Sequence, residues 1–474
     1  KLHCCSKLRD FVFKYEDLLG KEIWDVLDEE IQQDPGAFLS AINSYASRKG
    51  NLPIYLLIDE YDNFTNTILS TYGTEYYQKA THGEGFVRGF FNVIKAATTG
   101  TGSALQRMFI TGVSPVTMDD VTSGFNIGTN ITTDPWFNDL VGFSEAELRE
   151  MLTYYKEQGV LMQTVDETIV MMKPNYDNYC FSEEKLAQCM FNSDMALYFM
   201  KSFVLHHVKP KEIVDPNIRT DFNKLAYLIR LDHGLGENFS VIKEIAEQGE
   251  ITTDIATHFS ALEMTDVRNF KSLLFYFGLL SIKGVDMVGR PILHVPNLVV
   301  REQLFSFLIR GYIKHDIFKI DMNRMTMLFE NMAFRGDWKP LFNFIAEAIR
   351  EQSRIREYIE GEAHIKGFLL AYLGMYRYYQ LYPEYELNKG FADFLFKPSP
   401  SVPVMPPLTY LLEVKYAKAG TSEKEIRALA DEAREQLLRY SQDELVAEAK
   451  AKGGLKLITI VWCSWELVLL EEVL

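Results

Sequence analysis

Gly390-Phe391-Ala392-Asp393-Phe394-Leu395-Phe396, followed by Tyr410-Leu411-Leu412-Glu413-Val414-Lys415-Tyr416, is the stretch that decides how this chain reads. Both segments are short, apolar and rich in aromatic and branched residues, so both are expected as buried strands. An aspartate interrupts the first, and a Glu-x-Lys interrupts the second. Carboxylates and lysines enter buried strands only where something pairs with them. These three lie close enough in sequence to meet on one hairpin. Between the strands, Pro398, Pro400, Pro403, Pro406 and Pro407 mark a loop in which extra residues cost little.

The flanks extend the pattern. Residues 362–379 read as a helix that places Glu362, Lys366 and Leu369 on one face. A helix at Glu423–Tyr440 and a strand at Leu455–Trp462 follow, giving the order αββαβ. The aromatic run Tyr372–Tyr385 reads as core and helix surface rather than a base-stacking platform. The acidic run Asp431–Glu435 reads as a solvated helix face.

This order and these residues resemble the PD-(D/E)xK nuclease superfamily, whose fold is restriction-endonuclease-like. The resemblance makes Asp393 the Asp and Glu413-Val414-Lys415 the (D/E)xK. Glu362 matches an acidic residue that some members carry on the first helix. Gln436-Leu437-Leu438-Arg439-Tyr440 matches a Q-xxx-Y element of RecB-like members. Members often place Pro or Gly-Arg before the Asp, where this chain has Phe391-Ala392. The chemistry accounts for the residue types. Asp393 and Glu413, with the Val414 carbonyl, offer hard oxygen ligands to Mg²⁺ or Mn²⁺. Lys415 lies two residues beyond Glu413, so both project from one side of a strand. Its ammonium can orient or help deprotonate water and counter transition-state charge. Gln436 and Tyr440, at i and i+4, can reach one phosphate or base together. Glu-x-Lys alone is also what a structural salt bridge looks like. The Asp393 strand and the Gln436–Tyr440 helix raise it above that.

Near the N-terminus, Ile54-Tyr55-Leu56-Leu57-Ile58 ends in Asp59-Glu60, with Asp62 close by. The run suits a fully buried parallel strand. A helix at about 85–97 and a strand at 107–112 complete a βαβ unit. Strand plus Asp-Glu is a Walker B pattern, with Asp59 toward Mg²⁺ and Glu60 toward the attacking water. It is equally the end of any strand with solvated acids. Thr111 stands where a sensor residue would. No G-xxxx-G-K-[ST] occurs, so the phosphates have no backbone cradle. The 54–62 block, Arg107–Val113 with Ser114-Pro115, Leu8–Phe11 and the C-terminal motif together resemble a bacterial family that joins an AAA-ATPase-like domain to a PD-(D/E)xK nuclease. That resemblance places the phosphate loop upstream of Lys1. With no initiator Met, the chain is expected to start mid-domain, and ATP binding is expected only with that upstream loop.

Between these regions the pattern is helical from Ser144, where Ser144–Glu147 is a capping box, to about Gln248. A helix at 266–280, short strands at 280–282 and 292–295, and a helix at 297–308 resemble a winged helix. Lys271, Lys283 and Arg290 make only a thin basic face, which favours a plain lid over a DNA reader. Tyr176-Asp177-Asn178-Tyr179 resembles an aromatic and acidic patch of the family without an assignable role.

Composition bounds the rest. A net charge of −16 over 474 residues excludes a general nucleic-acid sponge. Five scattered cysteines suit reduced thiols in a cytoplasm. The apolar run Leu457–Cys463 is too short for a bilayer. His206-His207 point apart on a helix, and no HExxH or GxSxG occurs.

The expected architecture is multidomain α/β. A partial P-loop NTPase-like core (1–142) precedes a helical, winged-helix-containing middle (143–322) and the nuclease-like αββαβ domain with its helical lead-in (323–474). The expected activity is ATPase-coupled, metal-dependent phosphodiester hydrolysis on nucleic acid, DNA before RNA, with no membrane partner and the oligomeric state open. The alternative is a regulatory or signalling NTPase whose nuclease-like domain only binds nucleic acid or a partner.

Overall fold

Two contact units divide the chain: residues 1–131 with 255–277, and residues 132–254 with 278–474. The structure, a computed structural model, describes residues 1–50, 52–63, 68, 75–82, 85–99, 102–113, 115, 128–206, 210, 237–260, 263–264, 266–315, 317–352, 359–388, 390–399, 402, 404–452 and 454–473. Ser114, His207, Pro400, Pro403, most of 207–236 in the helical middle and 353–358 in the lead-in lie outside the described residues.

The first unit opens with helices α1 (Leu2–Lys14), α2 (Glu16–Leu19), α3 (Ile23–Val26) and α4 (Pro35–Arg48). Asp34 starts α4 by accepting the Ala37 N–H, and Pro35 takes the first position, where no N–H is needed. Val12, Ile23, Phe38 and Ile42 pack as the core of these helices. Strands β1 (Ile54–Ile58) and β2 (Leu105–Ile110) run parallel, joined through α5 (Phe86–Thr99), as the βαβ reading requires. Full burial of β1 is not observed. Ile54, Leu56 and Ile58 pack with Leu39, Phe91 and Ile94. Tyr55 and Leu57 are 63% and 75% exposed, because the helices packed on the strands cover one face among the described residues. Helix Val267–Tyr276, capped by Asp266, also belongs to this unit.

The second unit begins with α6 (Glu145–Glu157), α7 (Val165–Tyr176) and α8 (Ser193–His206). The Ser144–Glu147 capping box is formed, and Thr164–Glu167 makes another. Short bridges, Phe143–Phe191 and Tyr179–Met190, interrupt what reads as continuous helix. In the 176–179 patch, the Asp177 carbonyl accepts from Asn297 and Asn178 Nδ2 donates to the Pro296 carbonyl, so the patch ties loops together.

Helix α9 (Glu237–Gln248) leads to a three-stranded antiparallel sheet. Its strands are β3 (Glu250–Thr252), β4 (Ser281–Val285) and β5 (Pro291–His294), in the order β3-β5-β4. Helix α10 (Leu298–Lys314), capped by Asn297, follows. Helices α11 (Met322–Arg335), α12 (Lys339–Glu351) and α13 (Glu362–Gly374) lead into the last sheet.

That sheet contains β6 (Tyr379–Leu387), β7 (Gly390–Pro398), β8 (Thr409–Ala417), β9 (Leu455–Cys463) and β10 (Glu466–Glu472), in the order β10-β9-β8-β7-β6. Only β8–β9 is parallel, and its crossover carries α14 (Glu423–Tyr440) and α15 (Glu444–Ala451). The expected αββαβ order is therefore incomplete. The helix read to 379 ends at Gly374, and the aromatic run becomes the edge strand β6. Pro383 suits that place, since an edge strand tolerates a missing N–H.

Candidate active site

The β7–β8 ladder pairs Phe396 with Tyr410, Leu395 with Leu411 and Phe394 with Leu412. Beyond it, the Val414 N–H donates to Asp393 Oδ2 at 2.6 Å. A side-chain carboxylate thus replaces a ladder carbonyl and fixes Asp393 against β8. On the other flank, Pro383–Phe394 and Tyr385–Ala392 pair, so Glu384 stands opposite Asp393. Carboxylates directly opposite one another repel. Lys366, from α13, relieves this. Its Nζ lies 2.9 Å from Glu362 Oε1, 3.1 Å from Glu384 Oε1, and in direct contact with Asp393 Oδ1.

Glu413 and Lys415 project from one side of β8, with Nζ 3.3 Å from Glu413 Oε1. The same ammonium lies 3.3 Å from Glu432 Oε1 on α14. Glu413 is buried, and its Oε2 has no hydrogen-bond partner among the described residues. Two more buried acceptors share that condition: Thr459 Oγ1, in register with Glu413 on β9, and Gln436 Oε1, one turn beyond Glu432.

The charges follow from this burial. Desolvation pushes the Asp393 carboxyl up to about 6, with Lys366 pulling the other way. Desolvation, reinforced by the Asp393 charge, pushes Glu413 up to about 8 against the pull of Lys415. Burial works against the Lys415 ammonium too, yet Glu413 and Glu432 outweigh it and hold its pKa above the ordinary lysine value. Lys366 is raised in the same way by Asp393 and Glu362.

No group of three or more His, Cys, Asp or Glu side chains is placed to hold a metal ion among the described residues. The smaller donor set still suits a divalent cation. Asp393 and Glu413 are hard carboxylate ligands on adjacent strands, and the unpartnered Oε2 of a buried carboxylate wants a cation. Against this, one oxygen of Asp393 is already held by an ammonium.

Of the residues singled out in sequence, Asp393, Val414 and Glu362 meet around Lys366 and the β7–β8 junction, and Glu413 pairs with Lys415 on β8. Tyr440 goes elsewhere. It is buried in a core with Leu395, Leu411 and Leu437, and its ring closes on Gly390. Sequence reading missed Glu384 and Glu432 and gave Lys366 no role. Glu384 lay in a run read as core, and Glu432 in one read as solvated. The i, i+4 spacing of Glu432 to Gln436 was the available signal.

In the first unit, Thr111 Oγ1 donates to Asp59 Oδ1 at the ends of β2 and β1. Glu60 takes a positive φ of 51° and bonds Asn63 at 3.0 Å. Asp62 is buried and accepts the Val113 N–H at 3.1 Å, which makes it structural. Gly112 lies against Tyr61, where a Cβ would come within 2.3 Å of the ring.

Residues 360–472 match the family model described as the PD-(D/E)XK nuclease superfamily, and residues 1–122 match the one described as Predicted AAA-ATPase. No curated protein and no solved structure matches the chain. No helix among the described residues is long and apolar enough to cross a membrane, and all five cysteines are free. The chain thus joins an AAA-ATPase-like region at residues 1–122 to a C-terminal domain of the PD-(D/E)XK nuclease superfamily at residues 360–472.

Proposed function

We propose that the Asp393–Glu413–Lys415 cluster hydrolyses phosphodiester bonds of nucleic acid, DNA before RNA, with Mg²⁺ or Mn²⁺. The observation that carries this is the buried, unpartnered Oε2 of Glu413 beside the Lys415 ammonium, which Glu432 also contacts. Asp393, Glu413 and the Val414 carbonyl would hold the cation, which would supply Lewis-acid polarisation of a phosphate oxygen and a more acidic water. Lys415 stays protonated at neutral pH, so its part is to orient water by donation and to counter charge growing on the phosphate. Glu432 holds that ammonium from the helix side. Gln436, with a free acceptor one turn away, can bond a substrate or water donor. Lys366 and Glu362 position Asp393. Asp59, Glu60 and Thr111 are read as the Walker B and sensor elements of an ATP site whose hydrolysis is coupled to the nuclease in a cytoplasmic protein.

The test is cleavage of plasmid and single-stranded DNA with Mn²⁺ or Mg²⁺, wild type against Lys415→Ala. Metal-dependent cleavage lost in the variant supports the reading. No cleavage by the wild type with either metal, or equal cleavage by both proteins, overturns it.

One observation favours a second reading. Lys366 sits directly on Asp393, where a cation would otherwise be held. In that reading the nuclease-like domain is inactive and only binds nucleic acid or a partner. Calorimetry with Mn²⁺ separates the two, because the second reading requires no binding at Asp393 and Glu413.

A further inference from the structure

A cavity of about 300 Å³ lies in the second unit between α9, the β3–β5–β4 sheet, α10 and the edge strand β6. That volume is at the small end of ligand pockets, suited to an ion or a single nucleotide unit. One wall is apolar, formed by Val295, Leu304 and Phe305. Charged and polar groups complete the lining, among them Arg301, one turn before Leu304 and Phe305 on α10.

Arg301 is the cation there without a carboxylate among the described residues. Nη1 donates to the Leu381 carbonyl at 2.7 Å, and the guanidinium lies over the Tyr382 ring at 5.5 Å. The acids around it are engaged elsewhere. Glu250 is paired with Lys283, Glu384 with Lys366 at 3.1 Å, and Glu302 with Arg377 at 3.1 Å. A guanidinium has five donors, and among the described residues this one makes a single hydrogen bond, to the Leu381 carbonyl, while lining the cavity. His294 also lines the cavity. Burial, helped by Lys283, holds its pKa near 4, so it is a neutral ring at pH 7 with one donor and one acceptor. A buried cation without a counter-ion costs stability, and a cavity of this size beside it admits the missing anion.

We infer that this cavity binds a phosphate monoester, with the Arg301 fork on the phosphate oxygens, His294 donating to one of them, and the apolar wall against the esterified group. Arg recognises phosphate by paired, parallel N–H donors, a geometry that a single ammonium cannot reproduce. Of the carboxylates that share the lining, Glu250 is paired with Lys283, and Glu384 is drawn to Lys366, which also serves Glu362 and Asp393. Because the site needs neither metal nor Lys415, it stands apart from the nuclease reading. The monoester has two sources: a free nucleotide, or the phosphorylated end of a nucleic-acid strand.

The experiment is titration calorimetry on the full chain with inorganic phosphate, adenosine 5′-monophosphate and a 5′-phosphorylated oligonucleotide, without divalent metal. Binding of the mononucleotide identifies a free ligand, and binding of the oligonucleotide alone identifies a strand end. In either case Arg301→Gln weakens it by about tenfold or more. Arg301→Lys, which keeps the charge and loses the fork, falls between, and it carries the test if the Gln variant does not fold. No binding of any probe at millimolar concentration overturns the inference. So does unchanged affinity in a folded Arg301 variant.

Discussion

Glu384 on β6 and Asp393 on β7 face one another across the sheet, and one ammonium, that of Lys366, serves both carboxylates. Glu384 also takes a left-handed φ of 44° there, a conformation that non-glycine residues adopt at a cost. Helix α13 therefore does more than cover the sheet. It delivers the charge that lets two acids stand at adjacent strand positions, and that charge holds Asp393 against the Val414 N–H.

Removing the ammonium should expose that dependence. Lys366→Met leaves Asp393 buried without its cation and should cost about 3 kcal/mol in urea unfolding. Adding Asp393→Asn in the same chain should restore much of the loss, since the uncompensated charge is gone. A double-mutant cycle in which the two losses simply add would contradict the pairing.

Metal should act on stability through the same carboxylates. Under the nuclease reading, Mn²⁺ at about a hundredfold above its Kd stabilises the folded chain by about 2.7 kcal/mol. A chelator reverses the gain, and Asp393→Asn or Glu413→Gln abolishes it. Thermal shifts with and without Mn²⁺ measure this, and a wild type that does not respond favours the inactive reading.

His294 should make stability fall with acid. Its folded pKa, about 4, lies below the ordinary 6.5, because burial outweighs the help of Glu250. The unfolded chain therefore binds the proton first. The contribution is intact above about pH 6.5 and is lost as pH falls toward 4. At pH 5 the wild type should be weakened relative to His294→Gln by about 2 kcal/mol, against no such difference at pH 7.5. Denaturant melts of both proteins at the two pH values measure the sign.

Tyr440 should behave as core. Tyr440→Phe keeps the ring against Gly390 and should leave both cleavage and melting temperature near wild type. Tyr440→Ala opens a cavity and should cost about 3 kcal/mol. Gly390→Ala should also destabilise, because its Cβ would lie 2.7 Å from the Tyr440 ring. A large loss of cleavage in a stable Tyr440→Phe protein would return Tyr440 to the site.

Local pattern carried much of the fold. The β1, β7, β8 and β9 strands, α14 with its Ser422–Glu425 capping box, and the Ser144 and Asn297 helix starts are all readable from apolar period and cap chemistry. Strand β6 was not, because Tyr379–Leu387 is an edge strand that mixes buried Tyr379 and Leu381, half-buried Tyr382, Pro383 and Tyr385, and exposed Glu384 and Glu386. The exposure of Tyr55 and Leu57 was not readable either, since an apolar run does not say how many of its faces are covered.

The candidate site divides along the same line. Sequence alone determined the acids and the lysine of β7 and β8, because a charge inside an apolar strand is a local contradiction that only pairing resolves. Tertiary structure decided which charges pair. Lys366 comes from a helix, Glu384 from an edge strand and Glu432 from a face that reads as solvated, and only folding brings them within reach of β7 and β8. It also decided that Tyr440 is core and that Arg301 lines a cavity with no carboxylate paired to it among the described residues. Coulomb interactions and desolvation act over ångströms in space, and neighbours in space are not written as neighbours in sequence.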